Sequence, residues 1–158
     1  MNDAVDAIRY AYILLSKAGA LRGTLTPRMP GSGFTAQENI IQASYIIMAL
    51  HDALQGPYLR AVQAQYIPER ESRGTAIALL APRIECQSRG FCVHVLRKWA
   101  RLEKPQWEKW VGNTGRSQRT LERWQGEVTK QARHFEKCGL NQASDHMRSI
   151  GILETEAA

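Results

Sequence analysis

Residues 107–128 read WEKWVGNTGRSQRTLERWQGEV, and long hydrogen-bond donors crowd in just after a glycine. Gln118, Arg119, Glu122 and Arg123 fall on the outer side of the first two turns of a helix begun at Ser117. A Gln amide can make two hydrogen bonds to one adenine, and an Arg guanidinium two to one guanine. Ser117 and Thr120 carry short hydroxyls where a helix N-terminus favours a phosphate. Lys109, Arg116 and Lys130 are candidate phosphate contacts, which would position the helix without reading bases. The plainer role for Arg119 and Glu122 is a solvated ion pair, worth little.

Such donors need a frame, and the spacing supplies one. Trp110 and Val111 give a first helix its apolar side, and Gly115 can take the positive φ of a tight turn. Ser117 is a helix N-cap. Leu121 lies six residues after Gly115 and Trp124 three further on, so both face the first helix. The apolar positions Leu121, Trp124, Val128, Ala132 and Phe135 then carry one buried stripe to about Lys137.

On these residues TGRSQRTLERW resembles the turn and second helix of bacterial helix-turn-helix regulators, above all the promoter-reading region of sigma-like factors. Val111 stands where that pattern usually has Ala, and Gly112 follows it, which implies a slightly wider crossing of the two helices. The likeness covers about twenty residues of 158. Upstream, ALQGPYLRAVQAQYI at 53–67 is similar to the helix that precedes the reading segment in sigma-like proteins. Small phage proteins of the Q-type late antiterminator class share this style. The resemblance implies a small bacterial or phage transcription regulator, of antitermination type in its narrowest form. It implies double-stranded DNA as partner and RNA polymerase as a candidate second one.

Charge placement agrees with a polyanion partner. Residues 84–140 hold 12 basic and 6 acidic side chains, whereas 1–83 hold 8 and 6, and 141–158 hold 1 and 3. Three cysteines without framework spacing suit a reducing compartment. The start, MNDAVDAIRY, has no basic leader, and the apolar run YIIMAL is too short to span a bilayer. A cytoplasmic protein with no membrane contact is expected.

The remaining chain reads as helix almost throughout, so the expected fold is all-α, one compact helical bundle over 1–158 containing a helix-turn-helix segment at 105–137. Val5, Ile8, Tyr12 and Leu15 form one stripe over 3–18. Four glycines and two prolines make 19–33 a loop, and Thr35 with Glu38 forms a capping box at its end. The next helix, to about Leu54, is expected to bury Ile40, Ile41, Ser44, Ile47, Met48 and His51. Pro57 opens a helix with Leu59, Val62 and Tyr66 on one face, and another runs through Leu79 and Leu80 to Pro82. Val95, Leu96, Trp99 and Leu102 face inward from 88–103, with Arg97, Lys98 and Arg101 outward. Gly139 is expected to end the long helix, and Asn141 to cap a last short one.

Other chemistry ranks lower. Cys86, Cys92 and His94, with His134 and Cys138 at i and i+4, offer zinc-ligand types at a spacing unlike standard zinc motifs, so no metal is expected. No phosphate loop, nucleophile elbow or HExxH occurs, so no enzyme and no cofactor is expected. Trp99, Trp107, Trp110 and Trp124 suit core packing better than a stacking platform for single strands. The competing function is a helical protein-interaction or scaffolding module without nucleic-acid binding, which would cover the outer face of 116–130.

Overall fold

A computed structural model describes residues 3–20 and 35–154. Its fold is all-α: seven helices, with no strand among the described residues. Helix α1 spans Ala4–Ala20, α2 Ala36–Ala53, α3 Pro57–Tyr66, α4 Arg70–Leu80, α5 Arg89–Trp99, α6 Trp107–Thr114 and α7 Gln118–Ser149. A single 3-10 turn, Ala81–Arg83, follows α4 where Pro82 cannot continue the helix.

Local chemistry sets most of the boundaries. The Thr35–Glu38 capping box forms with both bonds in place, Glu38 N–H to Thr35 Oγ1 at 3.2 Å and Thr35 N–H to Glu38 Oε2 at 2.6 Å. Gly56 at φ 56 turns the chain into Pro57 at the first position of α3. Ser88 Oγ accepts the Phe91 N–H to start α5. The stop of α5 is unusual. Arg101 takes φ 61, and the Leu102 N–H reaches back to the Arg97 carbonyl at 2.8 Å, a C-terminal motif in which glycine is favoured.

Two cores form, and α3 and α7 contribute to both. Ile8, Ile46, Leu50, Leu54, Val62 and Met147 fill the one beneath α1 and α2. Ile77, Leu80, Phe91, Val95, Leu96 and Leu121 fill the one among α4, α5 and the first half of α7. No described helix is long and apolar enough to cross a membrane.

Three expectations need correction. First, α7 does not end at Gly139, and Asn141 caps nothing: the helix runs 32 residues without a break. Gly139 is buried there, and a Cβ on it would lie 3.1 Å from the Tyr58 carbonyl oxygen and 3.3 Å from Val62 Cγ2. The glycine serves close helix packing, which overrides its weak helix propensity. Second, α1 and α2 bury a face shifted from the one the large side chains mark. Ala4, Ala7, Ala11 and Leu14 meet Ala43, Ile46, Ala49 and Leu50, with Asn39 buried beside them. Alanines let two helix backbones approach closely, so Ile41 and Met48 are left outside and His51 is exposed. Third, Gly19 and Ala20 extend α1 into the loop expected at 19–33, whose remainder lies outside the described residues. On α4, Ala76, Ile77 and Leu80 face the core and Leu79 is exposed.

Two glycines of α7 are expected to respond oppositely. Gly139→Leu forces a side chain between α3 and α7 and should lower stability by about 1–3 kcal/mol. At exposed Gly126 an added Cβ meets nothing within 4 Å, so Gly126→Ala should raise stability by up to about 1 kcal/mol. Denaturant unfolding of the two variants checks both signs.

Candidate nucleic-acid interface

The turn between α6 and α7 is built as its residue types require. Gly115 sits in the left-handed region at φ 66, ψ 14, and its N–H closes α6 on the Val111 carbonyl at 3.1 Å. Thr114 Oγ1 donates to the Trp110 carbonyl at 2.6 Å and accepts the Arg116 N–H at 3.3 Å. Ser117 is extended, and its Oγ accepts the Thr120 N–H at 3.3 Å as the N-cap of α7.

Beneath the turn, aromatic packing fixes the two arms. Phe91 of α5 is fully buried and meets one tryptophan from each arm edge-on, Trp110 of α6 at 5.7 Å and Trp124 of α7 at 6.1 Å between ring centroids. Leu121 is also fully buried in this core, and Val111 packs against it. Gly90 leaves room for the Trp110 ring, since a Cβ there would lie 3.3 Å from it. The His94 ring lies 5.3 Å from the Trp110 ring between centroids.

His94 belongs to a polar clamp. Its Nδ1 lies 3.1 Å from Glu103 Oε2, and Arg97 Nε donates to Glu103 Oε1 at 2.5 Å. This ties α5 to the connection that leads into α6. Partial burial pushes the Glu103 carboxyl up, but the hydrogen bonds and charges of Arg97 and His94 outweigh it and hold the group below the usual carboxylate range.

The structure places Lys109, Arg116, Ser117, Gln118, Arg119, Glu122, Arg123 and Lys130 on the surface, with Thr120 half-buried. Some of their bonding capacity is already engaged within the chain. Gln118 Nε2 donates to Glu122 Oε1 at 3.0 Å, the Ser117 and Thr120 hydroxyls lie 3.1 Å apart, and the Lys109 ammonium sits 5.7 Å from the Trp110 ring centroid. Arg119, Arg123 and Lys130 lie along one line of α7, and Arg133 and Lys137 extend it at helical spacing. All five are exposed, opposite the buried Leu121–Val128–Ala132 side. From Arg119 to Lys137 the line runs about 27 Å. Glu122 and Glu127 flank it.

Sequence reasoning singles out neither Phe91 and Glu103 nor the last two cations. Arg133 and Lys137 are legible as period-3.6 repeats of Arg119. Phe91 sits one turn before His94 and Val95 on the inner face of α5, but its meeting with two distant tryptophans leaves no local signal. All four tryptophans are half-buried against the core, the packing role their positions favour.

The zinc-ligand types divide between α5 with the loop before it and α7. Cys92 is buried, and burial first, then Cys86, pushes its thiol up to about 12. His94 is engaged by Glu103, and Cys138 Sγ lies 3.7 Å from His134 Nε2. Among the described residues no group of three or more His, Cys, Asp or Glu side chains is placed to hold a metal ion. No family model, curated protein or solved structure matches the chain.

The Glu103 clamp has a pH signature. A carboxyl held low in the folded state contributes stability at neutral pH, which is lost as pH falls through its folded value. Glu103→Gln should therefore unfold below the wild type at about pH 7, and the gap should close in acid below the usual carboxylate range. Thermal unfolding across pH checks this; a gap that stays constant into acid contradicts the clamp.

Proposed function

We propose that the chain is a sequence-specific DNA-binding protein, a small transcription regulator that reads duplex DNA with the N-terminal turns of α7. One observation carries the reading: a left-handed glycine turn presents an exposed, donor-rich helix start whose opposite side is locked into the core by Leu121, Trp124 and Phe91. Direct readout needs that combination, because side chains can discriminate bases only if their backbone is held at fixed depth and angle.

In this mechanism the first two turns of α7 enter the major groove. Arg119 and Arg123 pair with guanine edges, and Gln118 with an adenine edge after exchanging its bond to Glu122. Glu122 accepts from a cytosine amino group. Lys109 and Arg116 flank the turn and Lys130 lies further along α7, placed for phosphates on either side of the groove. The unpaired N–H groups of the α7 start attract a further phosphate near Ser117 and Thr120. The resemblance to sigma-like reading segments supports a bacterial or phage regulator of antitermination type, and it alone supports RNA polymerase as second partner.

A second reading, a helical interaction module without nucleic-acid binding, has one observation in its favour. Ile41, Tyr45, Met48 and Ile150 are exposed around a groove of about 590 Å³ beside α2. The two readings part at the outer face of residues 116–130, where Arg116, Gln118, Arg119, Glu122, Arg123 and Lys130 are exposed on this chain and an interaction module would have a partner cover them.

Electrophoretic mobility shift against genomic fragments at several salt concentrations tests the proposal. With about four to eight phosphates engaged, log affinity should fall with log salt at a slope of roughly −4 to −7. Arg119→Ala and Arg123→Ala should each weaken a cognate site by about 1–3 kcal/mol, with stability changed by under about 0.5 kcal/mol. Leu121→Ala should instead cost about 2–5 kcal/mol of stability through the cavity it leaves. If both arginine variants bind like the wild type, the segment is a packing hairpin.

A further inference from the structure

A second cationic feature lies beside α7 and away from the reading segment. Arg9 of α1, Lys98 of α5, Arg101 in the α5–α6 connection and Arg133 of α7 line one concave basin of about 670 Å³. Four separate parts of the chain thus bring positive charge to one hollow. Gln125 and Thr129 of α7 add uncharged donors to its wall. One carboxylate shares the basin, Glu136, and it accepts the Tyr66 hydroxyl at 2.9 Å. No salt bridge to Lys98, Arg101 or Arg133 occurs among the described residues, though the charge of Arg133 acts on Glu136. The Lys98 ammonium lies 5.8 Å from the Trp107 ring centroid, and Arg9 lies over Tyr66 and 4.0 Å from exposed Asp6.

The wall at Arg101 is held in an unfavourable shape. Arg101 occupies the left-handed region at φ 61, where a side chain is strained and glycine is the usual residue. Two arginines of α4 clamp the chain on either side of it: Arg73 donates to the Ala100 carbonyl and Arg70 to the Leu102 carbonyl. Arg73 also bonds the Ala64 carbonyl at 2.9 Å. Three guanidinium groups therefore gather around one turn, and an arginine stands where a glycine would relieve the backbone. Packing gains nothing from that choice, since Arg101 is exposed. Charge in the basin does.

We propose that this basin binds a small ligand carrying two or more linked phosphates, with Lys98, Arg101, Arg133 and Arg9 on its oxygens. Guanidinium forks suit phosphate oxygens, and the volume admits a nucleotide-sized molecule. The concavity favours a compact free ligand over a DNA backbone, which the straight line of Arg119, Arg123 and Lys130 suits better; Arg133 stands where that line meets the basin. The site does not depend on the DNA-reading proposal, and tripolyphosphate binding is read without DNA.

The test is calorimetric titration of the full chain with inorganic tripolyphosphate at low salt, with thermal unfolding of each variant alongside. The wild type is expected to bind saturably at one site. Arg101→Gly should weaken binding at least tenfold while raising the unfolding midpoint, because it removes the cation and the strained backbone together. Arg133→Gln should also weaken binding at least tenfold, and Lys17→Gln, on exposed α1 surface outside the basin, should leave it unchanged. Absence of saturable binding overturns the proposal, as does an equal loss in Lys17→Gln, which would mean attraction to net charge alone. Duplex DNA binding that is lost in the two basin variants while tripolyphosphate does not bind at all assigns the basin to nucleic-acid backbone, and also overturns it.

Discussion

Gly139 lets α3 lie against α7 with a backbone carbonyl at 3.1 Å from where a Cβ would stand, and the architecture depends on that approach. A larger residue would push the helices apart and open both cores, because α3 and α7 are the elements the cores share. With the contact made, one helix of 32 residues, about 48 Å long, joins the donor-rich turn at one end to the α1–α2 packing at the other. The start of α7 is thereby anchored by far more buried surface than a two-turn helix could supply.

The same logic holds locally at the turn. The start of α7 exposes its polar side chains, so its hold on the fold comes entirely from its other side. Phe91 provides that hold for both arms at once, and the Glu103 clamp fixes the chain between α5 and α6. Exposed Arg119 and Arg123 stand near buried Leu121 on the same two turns, so chemistry and support are separable by substitution.

The helix-turn-helix segment was legible in the sequence because its determinants are local. Gly115, Ser117, Leu121 and Trp124 sit at fixed offsets, and each carries a steric or hydrogen-bonding requirement that does not depend on distant residues. The capping box at Thr35 and the proline start of α3 were legible for the same reason. Tertiary approach was not. Gly139 looks like a helix stop, since the carbonyl that demands it belongs to Tyr58, 81 positions earlier. The α1–α2 interface escaped because alanines give a faint hydrophobic signal while allowing the closest helix approach, so Ile41 and Met48 mark the wrong face. Arg101 was illegible as a left-handed residue because its type argues against that conformation. The basin it lines draws on four segments that only the fold brings together.

The claim at the centre of this account is that the α6–α7 turn and the first two turns of α7 contact duplex DNA. Amide chemical-shift mapping of the isotope-labelled chain, titrated with duplex DNA at low salt, addresses it most directly. The expected result is a contiguous set of perturbed amides from Lys109 through Arg123, with the Arg119 and Arg123 side-chain resonances shifting with them and the α2 surface unmoved. Perturbations that cluster on α2 around Tyr45 and Met48, or a titration that leaves 116–123 unshifted while DNA binds, would contradict it.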